Sequence, residues 1–134
     1  MRVFLDANVL FTAAYSPNGK ARFLIDNAGT IGAQLITSDY AWNESERNLI
    51  KKKNSALAEL EKIKQQIQIV STIQGSCPIE LKEKDVPIYM TSTGHSCTHL
   101  LTGDIKDFGK YMNSPESTQG MIIQTVSEFL DSFS

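Results

Sequence analysis

No apolar run in this chain approaches the roughly 20 residues that a membrane-crossing helix needs, so a membrane span is not expected. The opening Met1-Arg2-Val3-Phe4-Leu5-Asp6 has one basic residue, then an acid, and lacks the long apolar centre of a secretory leader. A cytoplasmic location is the expectation. Cysteine is scarce: Cys77 and Cys97 are the only two, and neither belongs to a CxxC pair. That argues against a zinc site, and in a leaderless protein it points to reduced thiols. An excess of positive charge is also missing. Thirteen Lys and Arg face fifteen Asp and Glu, for a net charge of −2, so nothing global draws the chain to nucleic acid. Phosphate binding would need a bound cation or a local patch. Candidates are Lys51-Lys52-Lys53 and the looser set Lys62, Lys64, Lys82 and Lys84, although any one of these lysines reads more simply as solvated helix surface.

Repeats, low-complexity tracts and long linkers are absent as well, so residues 1–134 are expected to form one domain. What is present alternates between strand and helix patterns. Val3-Phe4-Leu5 reads as a buried first strand. Tyr15-Ser16-Pro17-Asn18-Gly19 is a turn, after which Ala21, Leu24, Ile25 and Ala28 recur at helical spacing up to Gly29. Residues 33–37 form a second strand, and Ser38 is an N-cap with Asp39 in the first turn of the next helix. Leu57, Leu60, Ile63 and Ile67 mark a third helix, followed by a strand at 68–70. A polar connection covers 71–84. A helix is expected from Asp85 to about His95 with Pro87 in its first turn, a strand at 99–102, and a loop-rich stretch over 105–120. A strand at 121–123 and a helix through Val126, Phe129, Leu130 and Phe133 close the chain. This alternation predicts an α/β fold: a three-layer α/β/α sandwich around a central, mainly parallel sheet.

Four carboxylates sit beside apolar runs in this frame: Asp6, Glu44, Asp85 and Asp104. Asp6 and Asp104 fall where a hydrophobic strand runs out, which is where open α/β sheets build their sites. If the four converge, each pair about 4 Å apart would repel by roughly 4 kcal/mol at an effective dielectric near 20, and a divalent cation is the natural remedy. Each acid also has a simpler reading. Asp6 and Asp104 could be turn or capping residues, Asp85 an N-cap, and Glu44 a solvated helix residue. Glu46 is the rival of Glu44, but a helix turns about 100° per residue, so only one of the two should enter a cleft. Glu44 and Arg47, three apart, could pair along the helix. His95 and His99 are four apart, but Gly94 and the expected helix end deny them a shared helical face, and no H-E-x-x-H context surrounds them. Trp42 and Tyr40 could stack on bases, but core packing is the commoner use. Phe108 reads as a hydrophobic anchor for its loop.

These residues, taken in order, resemble the PIN domain, the metal-dependent ribonuclease fold that includes VapC-type toxins. Val3-Phe4-Leu5-Asp6-Ala7-Asn8-Val9-Leu10 looks like the family's first motif. Thr37-Ser38 with Glu44, Arg47 and Leu49 is similar to the second, and Lys84-Asp85-Val86-Pro87-Ile88 to the third. Leu101 to Phe108 resembles the fourth, and Ile122 to Leu130 the usual ending. One departure follows Asp85, where the family is usually rich in alanine and this chain reads Met90-Thr91-Ser92-Thr93-Gly94. The resemblance covers essentially the whole chain. It implies that Asp6, Glu44, Asp85 and Asp104 bind one or two Mg²⁺ or Mn²⁺ ions and catalyse hydrolysis of RNA phosphodiester bonds. Beside these acids, Asn8 could orient Asp6 or cap the next segment, Thr102 could donate its hydroxyl to a ligand carboxylate, and Asp107 could hold a metal-bound water or a second ion, or cap the segment after it. The resemblance further implies a toxin neutralised by a small antitoxin protein, and a homodimer.

Two readings from other classes compete. One is a PIN-like module that has lost hydrolysis and holds RNA or a protein. The other is a phosphoryl-transfer enzyme or receiver-type switch with Asp6 as nucleophile. A dehalogenase-like phosphatase would want a second aspartate where Asn8 stands, which weakens the latter.

Overall fold

The computed structural model describes residues 1–133. Within them, five strands form one sheet: Arg2–Leu5 (β1), Gln34–Ser38 (β2), Gln68–Val70 (β3), His99–Leu101 (β4) and Ile122–Gln124 (β5). Their order is β3-β2-β1-β4-β5, and every neighbouring pair is parallel. Seven α-helices accompany them: Ala7–Tyr15 (α1), Lys20–Asn27 (α2), Asp39–Lys52 (α3), Leu57–Lys64 (α4), Val86–Gly94 (α5), Ile105–Phe108 (α6) and Val126–Asp131 (α7). This is the α/β/α sandwich that the alternation predicts. No described helix is long and apolar enough to cross a membrane.

The sheet separates two cores because side chains alternate across a strand. Val3, Leu5, Leu35 and Leu101 face one core, filled by Leu10 and Ala13 of α1, Leu24 of α2, Trp42 and Leu49 of α3, Leu60 and Ile63 of α4, and Phe129 of α7. Phe4, Ile36, Leu100 and Ile123 face the other, with Ile88 and Tyr89 of α5 and with Phe108 and Tyr111. β1 is therefore apolar on both faces, as a central parallel strand should be. The register pairs Phe4 with Ile36 on one side and with Leu100 on the other.

Strand order carries the functional consequence. The chain builds outward from β1 through β2 to β3, then crosses back to lay β4 against the other side of β1. The direction of winding reverses between β1 and β4, and the crevice beyond their carboxyl ends is where such sheets bind ligands.

Several boundaries differ from the sequence pattern. β2 and β5 each begin one residue later than expected, and β4 stops at Leu101. The third expected helix ends at Lys64 instead of running to Ile67, whose side chain still packs on the core from beyond the helix. Residues 105–120 are more ordered than a loop: α6 is followed by 3₁₀ turns at Gly109–Tyr111 and Pro115–Ser117. The expectation marked no helix over 7–15. α1 forms there because Val9, Leu10, Ala13 and Ala14 make two adjacent i, i+4 pairs, all buried.

Candidate active site

Asp6 follows β1 immediately. Its backbone N–H still bonds to Leu101 O at 3.0 Å, so the β1–β4 pairing holds the residue in place. The side chain caps α1, with Oδ1 accepting from Ala7 N at 2.7 Å. Capping and site geometry thus coincide in one residue. Oδ2 accepts the Thr102 hydroxyl at 2.8 Å and the Asn8 amide at 3.3 Å. Asn8 Nδ2 also reaches Thr102 Oγ1 at 3.2 Å, and Asn8 Oδ1 accepts from Gly103 N at 2.7 Å. Asn8 therefore ties the end of β1 to the turn after β4.

Asp104 lies on that turn and caps α6, with Oδ1 accepting from Asp107 N at 3.1 Å. Its own N–H donates to Thr102 Oγ1 at 3.0 Å. Asp85 stands at the N-cap position of α5, as the sequence suggested, but its side chain makes no capping bond. Its carboxylate is buried, and Oδ2 has no hydrogen-bond partner. Glu44 comes in from α3. A small cleft of about 40 Å³ is lined by Asp6, Asn8, Tyr40, Glu44, Lys84, Asp85, Ile88 and Asp104. All four expected acids meet there. Glu46 does not line it, as the turn of the helix requires. Beside it a larger groove of about 490 Å³ runs past Asn8, Thr12, Lys20, Thr102, Asp104 and Ser127.

Electrostatics follow from this crowding. Burial raises the Asp6 carboxyl to about 6, against hydrogen bonds from Thr102 and Ala7 that lower it, with Asp85 and Glu44 adding repulsion. Asp85 is also raised to about 6. Burial is again the main cause, opposed by Lys84 and reinforced by Asp104, Asp107 and Glu44. Two carboxyls raised by burial and one buried oxygen without a hydrogen bond mark the Asp6–Asp85 side of the site as short of positive charge. Carboxylate oxygens suit a hard divalent cation, so Asp6, Glu44, Asp85 and Asp104 fit such an ion.

Asp107 departs from its expected place. It does not line the small cleft. Its oxygens meet Lys82 at 2.7 Å and Lys84 at 2.8 Å, and these ammonium groups hold its carboxyl well below the usual range. Lys82 and Lys84 are thereby spent on acids and are not the free phosphate patch suggested from sequence. Sequence reasoning also missed Lys84 and Tyr40 as cleft residues. Lys84 adjoins Asp85 in the third motif, which was the one available signal. Tyr40 donates its hydroxyl to the Lys84 carbonyl at 3.1 Å.

Other expectations resolve simply. No ion pair joins Glu44 to Arg47 among the described residues. His99 packs edge-on against Phe129 in β4, away from His95. Trp42 and Phe108 are buried in the core, and both cysteines are free thiols.

A family model described as PIN domain matches residues 2–106. The chain belongs to the PIN domain family. Solved structures resemble this PIN domain along nearly its whole length. VapBC2 from Rickettsia felis, bound to a DNA fragment from its promoter, is 14% identical, covers 93% of this chain and 98% of its own, and has a TM-score of 0.64. VapBC-1 from nontypeable Haemophilus influenzae is 11% identical, with 95% and 99% coverage and a TM-score of 0.61. VapC20 of Mycobacterium tuberculosis, a Sarcin-Ricin loop cleaving toxin, is 12% identical, with 80% and 95% coverage and a TM-score of 0.57. At such identities the likeness speaks for the fold alone. No protein of curated function matches the sequence.

Proposed function

We propose that this PIN domain is a Mg²⁺- or Mn²⁺-dependent endoribonuclease and the toxin of a toxin–antitoxin pair. The observation that carries the reading is Asp85 Oδ2, buried and without a hydrogen bond in a cleft that also receives Asp6, Glu44 and Asp104. A divalent ion bound there would supply Lewis acidity to a phosphodiester and lower the pKa of water beside it. The chain's own residues would do the rest. Asp6, Glu44, Asp85 and Asp104 would hold the ion. Asn8 and Thr102 keep Asp6 from rotating, since both bond to the same oxygen. The groove beside the cleft would take the RNA strand next to the scissile bond, with Lys20 on its wall.

The toxin reading draws on the neighbouring folds, two of them VapBC proteins and a third, VapC20, a Sarcin-Ricin loop cleaving toxin. In this reading a small antitoxin covers the acidic cleft, the protein works in the cytoplasm as a single-domain chain, and two copies pair as a homodimer. RNA cleavage that stops on chelation and resumes with added Mn²⁺ is the direct test.

A second reading, a catalytically silent module that holds RNA or protein, rests on the ion pairs of Lys82 and Lys84 with Asp104 and Asp107. Those pairs already satisfy part of the acidic cluster. Metal binding without cleavage of any RNA would favour it.

A further inference from the structure

Asp85, Asp104 and Asp107 bring one carboxylate oxygen each to within 4.8 Å of one another, a spacing that suits a cation. A cation is already there, supplied by the chain. Lys84 Nζ lies 2.8 Å from Asp104 Oδ2, 2.8 Å from Asp107 Oδ2 and 3.8 Å from Asp85 Oδ2. Lys82 Nζ closes the far side at 2.7 Å from Asp107 Oδ1. Both oxygens of Asp107 thus face an ammonium group, and both oxygens of Asp104 are engaged, one by Lys84 and one by Asp107 N–H. Distances this short are those of charge-assisted hydrogen bonds. The backbone holds Lys84 at the cleft, because its carbonyl accepts the Tyr40 hydroxyl and its neighbour Asp85 begins α5.

The other half of the cleft differs. No Lys or Arg pairs with Asp6 or Glu44 among the described residues, and Asp85 Oδ2 has no hydrogen bond. The space between the halves is about 40 Å³. Two-metal sites hold their ions about 3.5–4 Å apart and need a second set of open carboxylate oxygens. Here that second set is the Asp104–Asp107 arm, which the lysines fill.

We propose that Lys84, backed by Lys82, takes the place of a second metal ion, so that this cleft binds one divalent ion and the four-acid set proposed above narrows to Asp6, Glu44 and Asp85, with Asp104 held by Lys84. The inference rests on the ribonuclease reading for its metal but not for its count. Lys84 is then a positioning residue: it fixes Asp104 and Asp107 and leaves a permanent positive charge where other arrangements would recruit an ion.

The test counts ions in the whole chain. Mn²⁺ titration followed by electron paramagnetic resonance of free Mn²⁺ should give one ion per wild-type chain, and two for Lys84→Met, which keeps the length and removes the charge. Lys84→Arg should restore a count of one. Lys84 is exposed, so the substitution should leave the fold intact, and circular dichroism checks this. Anomalous scattering from Mn²⁺-soaked wild-type crystals gives a count that needs no variant. Two ions in the wild type, or one in both wild type and Lys84→Met, would overturn the proposal while leaving metal-dependent cleavage standing. No bound ion in either protein would overturn it together with the ribonuclease reading.

Discussion

Thr102 donates its hydroxyl to Asp6 Oδ2 across 2.8 Å, joining the residues that follow the two central strands of the sheet. The same hydroxyl oxygen accepts from Asn8 Nδ2 and Asp104 N. One buried threonine therefore sets the orientation of an acid on each side of the winding reversal. Thr102→Val keeps the shape and removes every one of these bonds. Unpaired buried groups should cost about 1–3 kcal/mol of stability. Loss of an outer partner of a ligand should weaken Mn²⁺ binding by about 10- to 100-fold. Urea denaturation and calorimetric Mn²⁺ titration check the two effects separately.

The raised carboxyl of Asp6 makes a pH prediction whose sign is fixed. In the folded chain it titrates near 6, against 3.8 for an ordinary aspartate. Between those values the folded chain holds a proton that the unfolded chain has released. Its contribution to stability is complete below about pH 4 and is lost as pH rises through 6. Asp6→Asn removes that titration. In EDTA, the melting temperature of Asp6→Asn relative to wild type should therefore climb as pH goes from 4.5 to 7.5. A difference that stays flat over this range contradicts the burial argument.

A divalent ion should stabilise the fold by relieving the same crowding. At about 100 times its dissociation constant, an ion that binds only the folded chain adds about 2.7 kcal/mol. Thermal melts with and without Mn²⁺ measure this. Asp85→Asn, which replaces the carboxylate whose Oδ2 lacks a hydrogen bond, should lose most of the Mn²⁺ shift while melting normally in EDTA.

Phe108 is fully buried and closes the short helix that carries Asp104 at its cap and Asp107 within it. Phe108→Ala should cost about 3–5 kcal/mol, measurable as a fall in the urea midpoint. Hydrogen exchange should report the loosening first at residues 104–112.

How much of this was legible beforehand differs by residue. Asp6 and Asp104 follow apolar runs, so their place at strand ends could be read directly. Asn8 and Thr102 both hydrogen-bond Asp6 Oδ2, a contact that no pattern of apolar residues signals. Glu44 was preferred to Glu46 by its place in the second motif, not by composition. Helical rotation allowed one of them, and the packing of α3 brings Glu44 to the cleft. The lysines defeated sequence reasoning for a physical reason. A lysine's default is solvent, and nothing local shows that Lys82 and Lys84 fold back onto acids about 20 residues further along. α1 is legible in Val9, Leu10, Ala13 and Ala14, whose i, i+4 spacing is short and follows directly on the apolar run of β1. The turns within 105–120 lack any repeat at helical or strand spacing and owe their order to Phe108 and Tyr111 in the core.

The central claim is tested most directly by exposing a panel of structured and single-stranded RNAs to purified wild-type and Asp6→Asn protein, each with Mn²⁺, Mg²⁺ or EDTA. The account predicts cutting by the wild type that requires a divalent ion, vanishes in EDTA, and is lost in a folded Asp6→Asn protein. Cutting that persists in EDTA, or full activity in Asp6→Asn, would contradict it.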